Sequence, residues 1–202
     1  MDVELILASS NKGKIKELAY LLPNFTVIAY SDILGSMDIE ETGTTFKQNA
    51  IIKAQAVDEA LKNKSYDKEY IVIADDSGIS VPVLNNEPNI YSARYAGLNA
   101  SDKQNNEKLI SKLNENNLTK TPAFYTACLA FIYKNSIYTT HGWMHGDVIN
   151  KEVGESGFGY DPLFIPNNFD KTLGELDPSV KKDLSHRSKA LNLAIDVINV
   201  IL

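Results

Sequence analysis

The chain has 202 residues, 44% hydrophobic and 23% charged, with a formal net charge of −6. That length suits one large globular domain or two lobes around a cleft, and the acidic balance argues against a non-specific grip on duplex nucleic acid. No apolar run reaches the ~18 residues of a membrane-spanning helix, and a single cysteine, Cys128, excludes an internal disulfide and fits a reducing, cytoplasmic setting.

The opening Met1-Asp2-Val3-Glu4 is acidic and runs straight into a strand, so no secretory leader is expected. Glu4 to Ala8 reads as that strand. It breaks into Ser9-Ser10-Asn11-Lys12-Gly13-Lys14, after which Ile15, Leu18, Leu21 and Leu22 mark one face of a helix that Pro23 ends. Small hydroxyl residues, an asparagine cap and lysines at a strand-to-helix turn make a site for an anion, since the free N–H groups and the helix dipole favour a phosphate. The spacing is not that of a Walker loop, and a plain N-cap with solvated lysines is the alternative.

Phe25 to Ala29 is a second strand, and Ser31 to Asp38 is expected to be irregular. Ile39-Glu40-Glu41-Thr42-Gly43 is a turn with paired carboxylates. Thr45 then caps a helix, with Gln48 completing a capping box, and Phe46, Ala50, Ala54, Val57 and Leu61 form its apolar stripe to about Lys62. Lys53 lies beside that stripe. It either snorkels to water along its stem or points an ammonium at a polyphosphate.

Tyr70 to Ile79 is the stretch around which the chain is organised. A run of apolar, β-branched residues reads as a buried central strand that ends in Asp75, Asp76, Ser77 and Gly78. Two adjacent carboxylates at the end of a buried strand raise each other's pKa or call for a cation, and the carboxyl ends of strands are where ligands sit in α/β sheets.

Ile79 to Leu84 reads as another strand and Asn85 to Asn89 as a turn. Arg94 follows inside Ser92-Ala93-Arg94-Tyr95. It and Arg187 are the only arginines, each in a short polar cluster and each with the rigid donor fork that suits phosphates and carbonyl edges. Ser101 and Gln104 form a second capping box. Phe124 to Tyr133 and Ile137 to His141 form a hairpin about Lys134-Asn135-Ser136, with Cys128 a buried structural thiol in its first strand. In Glu155 to Pro166, Phe158 and Tyr160 are either core residues or flat faces for a nucleotide base. A strand follows from Leu163, Asp177-Pro178 opens a helical region through Lys182, and a last helix carries Ala190, Ala194, Val197, Ile198 and Ile201 on one stripe. No repeat or linker divides the chain, which reads as one domain over 1–202.

Taken in order, the motifs resemble one family. Ser9-Ser10-Asn11-x-x-Lys14, Glu40-Glu41-Thr42-Gly43, Asn49-Ala50-x-x-Lys53-Ala54, Ala74-Asp75-Asp76-Ser77-Gly78, Ser92-Ala93-Arg94-Tyr95, Phe158-Gly159-Tyr160-Asp161-Pro162 and Ser185-His186-Arg187 follow the order and spacing of the inosine triphosphate pyrophosphatases. These enzymes hydrolyse non-canonical purine nucleoside triphosphates. Ser10 departs from the family's glycine in the first loop. The resemblance implies an α/β fold, an elongated twisted mixed sheet flanked by helices with two lobes and a central cleft, and a homodimer.

It implies further that a purine nucleoside triphosphate (ITP, dITP or XTP) is split to the monophosphate and pyrophosphate, with Mg²⁺ as the ion and no nucleic acid or membrane as partner. Asp76 is then the base that activates water, and Glu41 and Asp76 are the metal contacts. Ser9, Ser10, Asn11, Lys12, Gly13, Lys14, Lys53 and Lys182 hold the polyphosphate, with Ser77 against it. Phe158, Gly159, Tyr160 and Asp161 line base and sugar, His186 and Arg187 meet the base edge, and Arg94 belongs to the substrate site. Two alternatives stay open from the residues alone: a Maf-like pyrophosphatase of modified pyrimidine triphosphates, and a non-catalytic nucleotide sensor.

Overall fold

A four-residue strand with every side chain buried, β1 (Glu4–Leu7), sits inside a mixed six-stranded sheet of order β2-β1-β3-β4-β5-β6. The computed structural model describes residues 3–9, 15, 19, 20, 23 and 25–202. β1 pairs in parallel with β2 (Thr26–Ala29) on one side and β3 (Tyr70–Ser80) on the other. A strand flanked on both edges and buried along its length favours apolar side chains, which explains Leu5, Ile6 and Leu7; Glu4, at its start, is compensated by accepting from Tyr66 and Lys68. Beyond β3 come β4 (Lys120–Tyr133), β5 (Ser136–Ile149) and the short β6 (Phe164–Pro166), which runs antiparallel to β5. Lys134 and Asn135 alone connect β4 to β5, both with positive φ. This is the primed two-residue turn whose twist matches the strands it joins.

Helix α1 is Tyr30–Leu34 and α2 is Phe46–Asn63; α3 is Asp102–Glu115, α4 is Pro178–Leu184 and α5 is His186–Ile201. The apolar stripe of α2 is buried as its spacing predicts, at Phe46, Ala50, Ala54, Val57 and Leu61. Leu61 is fully buried, a contribution of about 1.5–3 kcal/mol for a side chain of that size. Ser101 caps α3 in a complete capping box with Gln104. Asp177 caps α4 with Pro178 in the first turn, where a missing N–H costs nothing.

The chain forms two compact units. One comprises Met1–Asp76, Cys128–His141 and Ala190–Leu202; the other comprises Ser77–Ala127 and Gly142–Lys189. The first unit's core includes Leu5, Ile6, Leu61, Ile71, Ile73 and Phe131. The second is built on Ile79, Leu109, Tyr125, Tyr160, Leu163 and Phe164.

The structure corrects four local expectations. Asp75 and Asp76 do not end their strand, because β3 continues through Ser80. They lie inside it, and adjacent strand residues point to opposite faces, so the two carboxylates are not neighbours on one face. The expected strand from Ile79 to Leu84 is the end of β3 followed by a 3₁₀ turn at Pro82–Leu84, where proline supplies the φ and lacks the N–H that a ladder needs. The expected irregular stretch from Ser31 contains α1. The capping box at Thr45 is half formed: Thr45 Oγ1 accepts the Gln48 N–H, but Gln48 Oε1 accepts from the Thr44 N–H and hydroxyl instead of the cap residue. The expected first helix with Leu18, Leu21 and Leu22 lies largely outside the described residues.

Candidate functional site

In the first unit, two carboxylates share one ammonium. Lys53, on α2, donates to Glu41 Oε1 at 2.8 Å and to Asp76 Oδ1 at 3.3 Å. The reach from helix to strand follows from the local folding. The apolar stripe of α2 is buried, and Lys53, one residue before buried Ala54, is carried inward with 13% of its side chain exposed. Burial acts to lower the Lys53 pKa. The charges of Asp76, Asp75 and Glu41 and the hydrogen bond from Glu41 outweigh it and hold the value above the ordinary one. The ammonium is therefore a fixed positive charge at neutral pH. Asp75 and Asp76 are 2% and 6% exposed, and burying carboxylates so deeply requires compensating partners.

Glu40 is exposed, so of the two adjacent glutamates it is Glu41 that meets Lys53. Among the described residues no group of three or more His, Cys, Asp or Glu side chains converges as a metal cage. Glu41 and Asp76 nonetheless fit a hard divalent ion. Mg²⁺ takes one or two carboxylates from a protein when substrate phosphates complete its shell.

In the second unit the organising group is the guanidinium of Arg187, 7% exposed. Its Nη2 donates to Ser77 Oγ at 2.9 Å, and its Cζ lies 5.2 Å from the centroid of the Phe158 ring. Arg187 and His186 occupy the first turn of α5. Ser185 fixes that turn by accepting the Ser188 N–H at 2.9 Å, as an N-cap serine does. His186 stacks on Tyr125 with centroids 4.7 Å apart and planes 12° from parallel.

The 157–161 loop is held from three sides. Asp161 Oδ2 accepts from Lys181 Nζ and from the Phe158 N–H, and Asp102 Oδ2 accepts the Gly159 N–H. Gly157 has φ +93, and a Cβ there would lie 2.1 Å from Asp161 Oδ2, so only glycine lets the loop close on that carboxylate. Burial pushes the Asp161 carboxyl up, although Lys181, the Phe158 N–H and Arg187 all act to lower it.

The residues singled out from the sequence thus fall into separate groups. Lys53, Glu41 and Asp76 converge; so do Ser77, Phe158 and Arg187; and Gly159 and Asp161 are tied into the same loop as Phe158. Tyr160 is core: it is 4% exposed and its hydroxyl donates to the Ser92 carbonyl, while Phe158 stays 47% exposed. Arg94 lies over the ring of Tyr91, 5.3 Å from its centroid. Ser9 is half-buried just after β1, and Ser10, Asn11, Lys12, Gly13 and Lys14 lie outside the described residues.

The contact to Asp161 comes from Lys181, which was not singled out from the sequence; Lys182, expected to hold the polyphosphate, is half-buried. No local pattern marks Lys181 for that carboxylate, which lies 20 residues earlier in the chain. Asp102 and Tyr125 were also missed. Each acts on a residue more than fifty positions away, through a fold that no local pattern encodes.

The model of the Ham1 family matches residues 5–197. The chain belongs to the Ham1 family. Ham1 relatives cover it end to end. It is 62% identical over 200 residues to a protein of Aliarcobacter butzleri named dITP/XTP pyrophosphatase, spanning 99% of this chain and 100% of that one. A protein of the same name from Nautilia profundicola is 56% identical over 95% of each chain. Among solved structures, the Ham1 protein of Staphylococcus aureus matches with TM-score 0.84 at 38% identity, covering 98% of this chain and 100% of that one. A HAM1 protein from Coxiella burnetii matches with TM-score 0.87 at 33% identity, covering 98% of both. The mixed open sheet with flanking helices is thus the Ham1 fold.

Proposed function

We infer that this chain hydrolyses non-canonical purine nucleoside triphosphates, dITP, ITP and XTP, to the monophosphate and pyrophosphate. The observation that carries the reading is the Lys53 ammonium on the Glu41 and Asp76 carboxylates. It is supported by relatives that bear the name dITP/XTP pyrophosphatase, one of them 62% identical over 99% of this chain.

In this reading the chemistry asks for little covalent work; positioning and charge neutralisation carry it. A water oxygen attacks the α-phosphorus, the bond from that phosphorus to the bridging oxygen of the β-phosphate breaks, pyrophosphate leaves with the bonding pair, and the water's proton goes to Asp76. Glu41 and Asp76 would hold Mg²⁺, which neutralises phosphate charge when bound. Lys53, with Lys14, Ser9, Ser10, Asn11, Lys12 and Gly13 in the first loop, would bind the polyphosphate, with Ser77 against it. Arg187 and His186 would meet the base edge and Phe158 would supply a stacking face, with Gly159, Tyr160 and Asp161 shaping that loop and Lys181 holding Asp161. Lys182 and Arg94 remain candidates for substrate contact. The whole chain, 1–202, would act as one catalytic domain, a homodimer working in the cytoplasm; among the described residues no helix is long and apolar enough to cross a membrane.

A panel of ITP, dITP, XTP, GTP, ATP and modified pyrimidine triphosphates, with products identified, tests this. Fast release of pyrophosphate from ITP, dITP and XTP is the expected result. Orthophosphate as first product, or a preference for pyrimidines, would overturn it.

A further inference from the structure

Glu41 lies in a stretch without regular secondary structure, residues 35–43. No ladder or helix fixes its backbone, so its carboxylate is only as well placed as its side-chain anchors allow. One anchor is Lys53. A second comes from the same face of α2, four residues earlier: Asn49, fully buried, accepts the Gly43 N–H on its Oδ1 at 2.8 Å. Residues four apart on a helix stack one above the other, so Asn49 grips the backbone two residues from Glu41 while Lys53 grips the carboxylate itself. Gly43 is shaped for this contact, because a Cβ there would stand 2.5 Å from Asn49 Oδ1 and 2.7 Å from Gln48 Cβ.

The other end of the amide is the second observation. Asn49 Nδ2 is buried with no hydrogen-bond partner among the described residues. A buried donor left unpaired costs stability, a cost set against the Oδ1 contact that holds Gly43. An aspartate would offer the same acceptor without the orphaned NH₂. It would also add a further negative charge one helical turn from Lys53, which already balances Glu41 and Asp76 and feels Asp75.

We propose that Asn49 is a positioning residue for Glu41: an uncharged acceptor that fixes the Gly43 backbone so that the Glu41 carboxylate is set for the divalent ion. This rests on the reading in which Glu41 serves that ion.

The test uses the full chain and two readouts besides turnover: hydrogen exchange at the Gly43 amide, and Mn²⁺ half-saturation followed by electron paramagnetic resonance with an α,β-methylene ITP analogue present. Asn49→Ala is expected to unprotect Gly43 and to raise the Mn²⁺ half-saturation by ~10-fold, the usual effect of losing a group that orients a metal contact. Gly43→Ala leaves Asn49 in place but forces the loop off it, and is expected to give the same shift if Asn49→Ala fails to fold. Asn49→Asp keeps the acceptor and should retain Gly43 protection, with the Mn²⁺ half-saturation moved far less than in Asn49→Ala; a shift as large as that of Asn49→Ala with Gly43 still protected would overturn the role of the Gly43 contact. An unprotected Gly43 with unchanged half-saturation in the folded variants overturns the proposal. Glu41→Gln separates the two layers: if it leaves Mn²⁺ binding unchanged, the reading of Glu41 itself fails, whereas a shift in Glu41→Gln without one in Asn49→Ala removes only the role of Asn49.

Discussion

Arg187 donates to the Ser77 hydroxyl at 2.9 Å across 110 residues of chain, and Ser77 is bonded directly to Asp76. The guanidinium proposed to read the base is thereby tied to the residue that follows the proposed catalytic carboxylate. Arg187 offers only donors. O6 of inosine or xanthosine accepts them, whereas the 6-amino group of adenine meets them donor to donor, and unpaired buried polar groups make such rejection large. Arg187→Ala should lower kcat/KM for ITP and narrow its margin over ATP by at least ~10-fold. Steady-state kinetics on the two substrates check this, and an unchanged margin would remove Arg187 from base selection.

Asp76→Asn keeps the size of a side chain that is 6% exposed and removes its basicity. A fall in kcat of at least ~10²-fold is expected, the low end for a general acid–base residue, with circular dichroism unchanged. Turnover near wild type would end the assignment of Asp76 as base.

Lys53→Ala should reduce triphosphate use by a similar factor for every base, because the ammonium is held by the Glu41 and Asp76 carboxylates and its charge serves the polyphosphate. Its effect on stability carries a pH signature. The Lys53 pKa is raised in the folded protein above its ordinary 10.5, so the stabilisation from its charge is fully present below the unfolded value and is lost only as pH rises through the higher folded one. The difference in melting temperature between wild type and Lys53→Ala should be flat from roughly pH 7 to 9 and shrink only above about pH 10.5. A difference that already disappears near neutrality would mean that Lys53 is not held charged by its neighbours.

Cys128 is fully buried, and burial pushes its thiol up to about 12. Reactivity needs an accessible thiolate. At pH 8 the native protein should therefore give no colour with Ellman's reagent, and one thiol should appear on denaturation. Rapid labelling of the native chain would contradict the burial.

What could be read from the sequence was local and periodic. The stripe of α2, the capping box of α3 and the Asp177-Pro178 start of α4 are patterns within a few residues, and each is found. The two-residue hairpin turn was placed within one residue. β3 was misjudged because a pair of aspartates looks like an ending, and only the ladder beyond them shows that the backbone stays extended. Tyr160 and Phe158, two residues apart, were indistinguishable as core or surface until the hydroxyl of Tyr160 found the Ser92 carbonyl. Lys181 against Lys182, like the stacking of Tyr125 on His186, depends on contacts between distant segments, for which spacing along the chain holds no information.

The division of the chain into units also governs how the protein can be re-engineered. One unit is assembled from three separate segments and the other from two, with boundaries after Asp76, Ala127, His141 and Lys189. Three of those boundaries fall inside strands β3, β4 and β5, and the fourth falls inside α5. No single cut therefore releases either half as a contiguous fragment. A chimera that grafts the Arg187 and Phe158 unit of one homologue onto the Lys53 and Asp76 unit of another needs four crossovers, each within a regular element whose register must survive. Substrate preference in this scaffold is thus more readily altered residue by residue than exchanged as a cassette.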